Sequence, residues 1–288
     1  MLTNGTNADG AARDERYRGY SPADRAQPYA RFFAERTLPA PGLVAAAYAR
    51  PATAARVIPE FDELTDDLSP AGALAVETGY GHTVAGAVWV AVLTVMPGGT
   101  ARMWDWWFGW HLNEPARFKL WHPEAHLYAG AARDLSDEPI PDRDRYLGNT
   151  VYVDEYFGTK IQQLALTFHD PLAHGFTVPD EHTIILARIG SAVAPLDLGW
   201  LAHQVRPIPG GCEIRSRIYL KLFGPRHPDV GQAARAVARG LCIDPADLAL
   251  ELDLARELLL HCGQEMNHLA SILPDLHREF ATPTRTGR

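Results

Sequence analysis

Cysteine is scarce in this chain: Cys212, Cys242 and Cys262 are odd in number, scattered, and never spaced as Cys-x-x-Cys. That excludes a disulfide framework and a cysteine-based zinc site, and fits thiols kept reduced in a cytoplasm. Clustered basic residues are missing too. With 27 Lys and Arg against 35 Asp and Glu, and a formal net charge of -8, the chain offers no patch of the kind that neutralises nucleic-acid phosphates. The longest apolar run, Val84 to Met96, is interrupted by Gly86 and too short to cross a bilayer. Met1 to Asp14 lacks the apolar centre of a signal peptide. There is neither a Gly-x-Ser-x-Gly elbow nor a glycine-rich phosphate loop with its lysine, so two common enzyme plans drop out. The expectation is a cytoplasmic protein with no nucleic-acid and no membrane partner.

What is present is ordinary globular material, 47% hydrophobic and 22% charged over 288 residues, enough for one large domain with an elaboration. Residues 1–30 are polar and aperiodic and read as a flexible tail. Residues 31–73 are alanine-rich and broken at Pro39, Pro41, Pro51 and Pro59, the pattern of short helices joined by turns. Residues 74–281 form the main domain, with 282–288 as a second tail. Two strands are expected between Leu74 and Met96, and a tryptophan-rich helix over Ala101 to Leu120 with Pro115 opening its second part. Strand-like runs follow at 150–157, 161–168, 183–189, 196–205 and 213–223. A short helix covers 233–238. Asp244 and Pro245 carry the signature of a start for the last helix, and Pro274 of its end or a kink. This order predicts an α+β fold: a curved, mostly antiparallel sheet of six or seven strands closed by a long C-terminal helix. That is the helix-grip plan, Bet v 1-like or START-like, with a smaller helical N-terminal part.

Within that last helix stand His261 and Glu265, one turn apart on a stripe otherwise made of Leu254, Leu258, Leu269 and Ile272. Residues i and i+4 share a face, and a bare carboxylate among leucines is costly. The pair therefore reads as half of a metal site. Strand alternation puts Glu155 on the apolar face with Val151, Val153 and Phe157, supplying a third donor. His122 and His126, four apart, offer a fourth, and spacing does not choose between them. His169 and His174 read as turn residues.

Taken together, Trp104-Asp-Trp-Trp-Phe-Gly-Trp-His111, Lys119-Leu-Trp-His-Pro-Glu-Ala-His126, the Glu155 strand and the His261-x-x-x-Glu265 helix resemble the 2,4-diacetylphloroglucinol hydrolase family, to which phloretin hydrolase also belongs. The resemblance runs over about residues 75–275. It implies a helix-grip domain, a Zn2+ cofactor, and hydrolysis of the carbon–carbon bond between an acyl group and a phenolic ring. The partner would be a small aromatic or polyketide-like ketone, and the assembly a homodimer. Carried over by position, the family's ligands fall on His126, Glu155, His261 and Glu265, and a further site histidine on His203, which alternation places with Leu201 and Val205. Trp107, Trp110 and Phe118 are the expected wall for the substrate ring. Phe118 stands where the family has a tyrosine, and Ala129 near its asparagine. A second family tyrosine falls on Tyr219 or on Ile218. Alternation sets Tyr219 outward with Glu213, Arg215 and Lys221, so its expected catalytic role beside His203 requires a bulge to turn it inward. Rival readings are a metal-dependent lyase, cyclase or dehydratase of polyketide biosynthesis, and a non-catalytic carrier of hydrophobic ligands.

Overall fold

Each strand is hydrogen-bonded antiparallel to its neighbours in one eight-stranded sheet. This is seen in a computed structural model that describes residues 18–69, 72, 74–225, 229–239 and 251–281. The strands are β1 (Gly79–His82), β2 (Val88–Pro97), β3 (His126–Ala131), β4 (Thr150–Phe157), β5 (Lys160–His169), β6 (Thr183–Ser191), β7 (Leu196–Ile208) and β8 (Gly211–Pro225). Their order across the sheet is β1-β2-β8-β7-β6-β5-β4-β3. From β3 to β8 the chain is a meander of antiparallel neighbours. Short turns join β4 to β5, β6 to β7 and β7 to β8, and longer links, each with a helical segment, join β3 to β4 and β5 to β6. Gly158, at φ 59°, turns β4 into β5 where a side chain would both strain the backbone and strike Glu257.

Helices α1 (Pro22–Arg25), α2 (Gly42–Tyr48) and α3 (Leu64–Asp67) precede the sheet. Helices α4 (Ala101–His111) and α5 (Pro115–Lys119) follow β2, α6 (Asp142–Tyr146) precedes β4, and α7 (Val230–Ala238) follows β8. The long helix α8 (Leu252–Phe280) closes the molecule. Thr100 caps α4 by accepting from the Met103 amide.

The alternation of each strand sorts its side chains between two apolar layers. Val88, Val90 and Val92 of β2, Ile214 and Ile218 of β8, and Ile185 and Ala187 of β6 pack toward α8, which supplies Leu259, Cys262, Met266, Leu269 and Leu273. Trp89 and Ala91, Ile184 and Leu186, Trp200, Ala202 and Tyr219 face the other way, under Ile58, Leu64 and Leu68. A sheet covered on both faces explains why β2 reads as nearly continuous apolar sequence. Helix α8 also lies hard against α2, where Val44 occupies the space a side chain at position 263 would need; only glycine permits that approach.

The helix-grip plan is thus present, with three differences from expectation. Residues 18–30 are packed rather than loose: Tyr20 is buried, stacks on Phe33 and donates its hydroxyl to the Lys119 carbonyl, and Tyr29 is buried with its hydroxyl on Glu114. The segment from His126 forms a strand, β3, absent from the expected strand-like runs. Helix α8 continues past Pro274 to Phe280, and Glu251 stands at its N-cap; Asp244 and Pro245 lie outside the described residues.

Candidate metal centre and its chamber

His126 opens β3 directly opposite Glu155 of β4, while His261 and Glu265 project from one face of α8. All four side chains are buried. The Nε2 atom of His126 lies 3.3 Å from Glu155 Oε2 and 3.5 Å from Glu265 Oε2. The corresponding distances from His261 Nε2 are 3.2 and 3.8 Å. Donor atoms of His126, His261 and Glu265 all fall within 4.8 Å of one another.

The backbone fixes which nitrogen of each ring faces inward. His126 Nδ1 lies 3.0 Å from the Phe118 carbonyl, and His261 Nδ1 3.0 Å from the Tyr156 carbonyl. A carbonyl only accepts, so each Nδ1 donates, and each neutral ring turns an Nε2 lone pair to the centre. Two imidazole lone pairs and two carboxylate oxygens then converge with no donor among them. Buried His126 Nε2 has no well-directed hydrogen bond. An acceptor-only cluster of this kind calls for a cation, and nitrogen with oxygen donors suits a divalent metal such as zinc. With protons alone to fill it, burial opposes charge on His126, but the Glu155 and Glu265 carboxylates outweigh burial and hold the imidazole up to about 9. Glu155 is likewise desolvated, yet the two histidines bring it down to about 2.

Around the cluster, His122 is held by Thr37, Oγ1 to Nδ1 2.8 Å, and stacks on His261. Burial, then the neighbouring histidines, push its pKa far down. It braces the centre from behind, and the donors that converge come from His126. Beyond the cluster opens a chamber lined mainly by apolar side chains, Phe118, Trp121 and Phe157 among them, the kind of lining that receives a small organic ligand. His203 of β7 lines it, buried, with Nδ1 2.9 Å from Ser216 Oγ. Burial lowers its pKa to about 3, so it is a neutral imidazole at physiological pH.

Residues 57–278 match the family model described as the DAPG hydrolase PhiG domain. The chain belongs to this family. It is 30% identical over 274 residues to a 2,4-diacetylphloroglucinol hydrolase from a Pseudomonas species, covering 91% of each chain. Against the enzyme of that name from Pseudomonas protegens it is 29% identical over 274 residues, 91% of this chain and 87% of the relative. Against phloretin hydrolase from Eubacterium ramulus it is 30% identical over 226 residues, 76% and 78% of the two chains. Among solved structures it is similar to Ara h 8.0201, with TM-score 0.33, 10% identity, and coverage of 64% of this chain and 99% of the other. A Thalictrum norcoclaurine synthase mutant gives 0.28, 16%, 62% and 98%. Both likenesses are too low to carry a functional reading.

In this DAPG hydrolase family member the expected aromatic wall needs correction. Phe118 does line the chamber. Trp107 does not: it is fully buried in the α4 core, stacked on His111 with centroids 4.3 Å apart. Trp110 packs outside on Trp106 and Phe280, with the Arg117 guanidinium 4.4 Å above its ring. Trp121 and Phe157 supply the wall instead. Phe157 was signalled by its alternation with Glu155, and Trp121 by standing three residues after Phe118. Tyr219 also needs correction. The register of β7 with β8 is unbroken from Gly199↔Leu220 to Ile208↔Gly211, so no bulge turns Tyr219 inward. Its hydroxyl donates to the Pro59 carbonyl at 3.0 Å behind the sheet, and Ile218 faces the chamber. Ala129 is buried against the core. Among the described residues, no helix is long and apolar enough to cross a membrane.

Proposed function

We propose that this protein hydrolyses the carbon–carbon bond joining an acyl group to a phenolic or polyketide-derived ring, using a divalent metal, Zn2+ by expectation, held by His126, Glu155, His261 and Glu265. One observation carries the reading: an acceptor-only cluster at the wall of an apolar chamber that also contains a neutral histidine. When bound, zinc supplies Lewis acidity, which polarises a carbonyl oxygen and acidifies water. The chain's own residues do the rest. Phe118, Trp121 and Phe157 hold the ring and exclude bulk water. The His203 imidazole, with Nδ1 engaged by Ser216, has Nε2 left to move a proton. In the net reaction water gives its oxygen to the acyl carbon and one hydrogen to the ring carbon, and His203 is the group assigned to that proton.

Names of the relatives support the ketone chemistry, and the convergent donors support the metal. Elemental analysis of purified protein should find about one zinc per chain. Glu265→Ala should lose both metal and turnover, and full activity in chelated protein would refute the metal's role. A second reading is favoured by Phe118, Ala129 and Ile218, which leave apolar the positions where the resemblance expects tyrosine or asparagine: a metal-dependent lyase, cyclase or dehydratase. Reaction in 18O-labelled water separates the two, since only hydrolysis puts the label in a released carboxylate.

A further inference from the structure

The chamber's polar and apolar linings are segregated. Among the described residues, polar lining side chains are confined to the cluster, to Gln162, paired in register with Glu155, and to His203. Aromatic rings connect these groups: Trp121 lies 5.7 Å from His126 and 6.4 Å from Trp104, itself 6.3 Å from His203. Elsewhere the described lining is aliphatic, apart from Phe118 and Phe157. Leu258 and Leu254, roughly one and two turns of α8 before His261, line a corridor with Leu164, Leu166, Leu198 and Leu220 of the sheet. Two helical turns make it about 10 Å long. At its outer end Leu254 also borders a polar recess with Lys160, Gln162 and Glu257. Inward of that, beside Leu258 and the sheet leucines, a hydroxyl would exchange water for no partner among the described lining residues, a loss on the order of tenfold to a hundredfold. A methylene buried there gains about fourfold.

Resting on the hydrolase reading above, we propose that the substrate is an aryl ketone whose acyl group is an extended hydrocarbon arm of about six to eight carbons, a length set by the two-turn corridor. The ring sits among Phe118, Trp121 and His203, the carbonyl at the cluster, and the arm along Leu258 and Leu254. Its polar atoms are those of the carbonyl and the ring.

The test uses zinc-loaded full-length protein and 2,4-dihydroxyphenyl ketones carrying acetyl, hexanoyl or octanoyl groups. Turnover is followed as kcat/KM and binding by calorimetry. From acetyl to octanoyl, kcat/KM should rise at least tenfold, and the binding constant should tighten in step. Leu254→Trp, which obstructs the corridor, should lower the octanoyl-to-acetyl ratio at least tenfold. Equal values for all three arms in both measurements would overturn the proposal while leaving the hydrolase reading intact. Binding that tightens with arm length, with no ketone cleaved, would do the reverse. If Leu254→Trp fails to fold, the wild-type binding series decides alone.

Discussion

The imidazole of His126 lies flat on the ring of Phe118, centroids 3.7 Å apart and planes 5° from parallel. The same residue's carbonyl takes the Nδ1 proton of that imidazole. One residue therefore sets both the tilt and the tautomer of a candidate ligand. Phe118→Ala would keep the carbonyl and remove the ring, freeing the imidazole to swing. Partners that orient a ligand are worth on the order of ten- to a hundredfold in metal affinity, and a loss of that size is expected in a zinc competition titration. Unchanged affinity would mean the carbonyl alone holds the ring.

Ser216 stands to His203 as Phe118 stands to His126. Strands β7 and β8 pair the two residues directly, and both are buried. Ser216→Ala should leave the metal content unchanged and lower kcat about tenfold or more, within the usual range for a positioned acid–base group, with little change in KM. Ser216→Thr, which retains the hydroxyl, should recover most of the rate. A fall in metal content, or a failure of threonine to rescue, would count against a role through His203.

Much of the frame was legible because it depends on short periods. Spacing of four put His261 and Glu265 on one face, and alternation put Glu155, His203 and Ile218 inward without any knowledge of the neighbours. Tyr219 shows the converse: its own strand pattern points outward, and its hydroxyl lies behind the sheet on the Pro59 carbonyl, so resemblance by position does not carry a side chain to the chamber. The tryptophans of α4 surround their helix, so no periodicity reveals which of them meets the cavity. That depends on how α4 packs on the sheet, and the answer was Trp121, beyond the helix. Strand β3 was hidden because it is short, shifts register between His126 and Tyr128, and lies at the sheet edge with β4 as its one strand partner. Burial of Tyr20 and Tyr29 is likewise long-range, each hydroxyl bonding near α5.

Acid should destabilise the protein from an unusually high pH. Burial lowers both His111 and His203 to about 3, whereas an unfolded chain takes up these protons near 6.5. Below 6.5 the unfolded state binds more protons than the folded one, so this stability is complete above 6.5 and drains as pH falls toward 3. The slope reaches at most about 1.4 kcal/mol per pH unit for each histidine. Melting of His111→Phe between pH 7 and 4 should show a shallower decline than wild type. In metal-free protein His126, raised to about 9, contributes with opposite sign: its share is full below 6.5 and lost as pH rises through 9. Zinc loading should abolish that alkaline loss, and an identical alkaline limb with and without zinc would contradict the assigned cluster.

Behind the cluster, Asp154 is fully buried and takes hydrogen bonds from Arg239, Nε to Oδ2 at 2.9 Å and an η nitrogen to Oδ1 at 3.2 Å, and from Gln163 at 2.9 Å. The guanidinium also lies 4.0 Å over the Tyr128 ring. Because Asp154 and Glu155 are adjacent on β4, their side chains leave opposite faces, and this pair anchors the end of α7 to the back of the strand that carries Glu155. Arg239→Met would leave a carboxylate buried and unpaired, which costs roughly 3–5 kcal/mol. The double change Arg239→Met with Asp154→Leu removes both charges and should recover most of that loss. Urea denaturation of the two variants measures the difference. If the single variant is as stable as wild type, the pair is not the anchor its burial implies. If zinc affinity falls in the single variant and returns in the double, the strand's outer face helps to hold the ligand on its inner one.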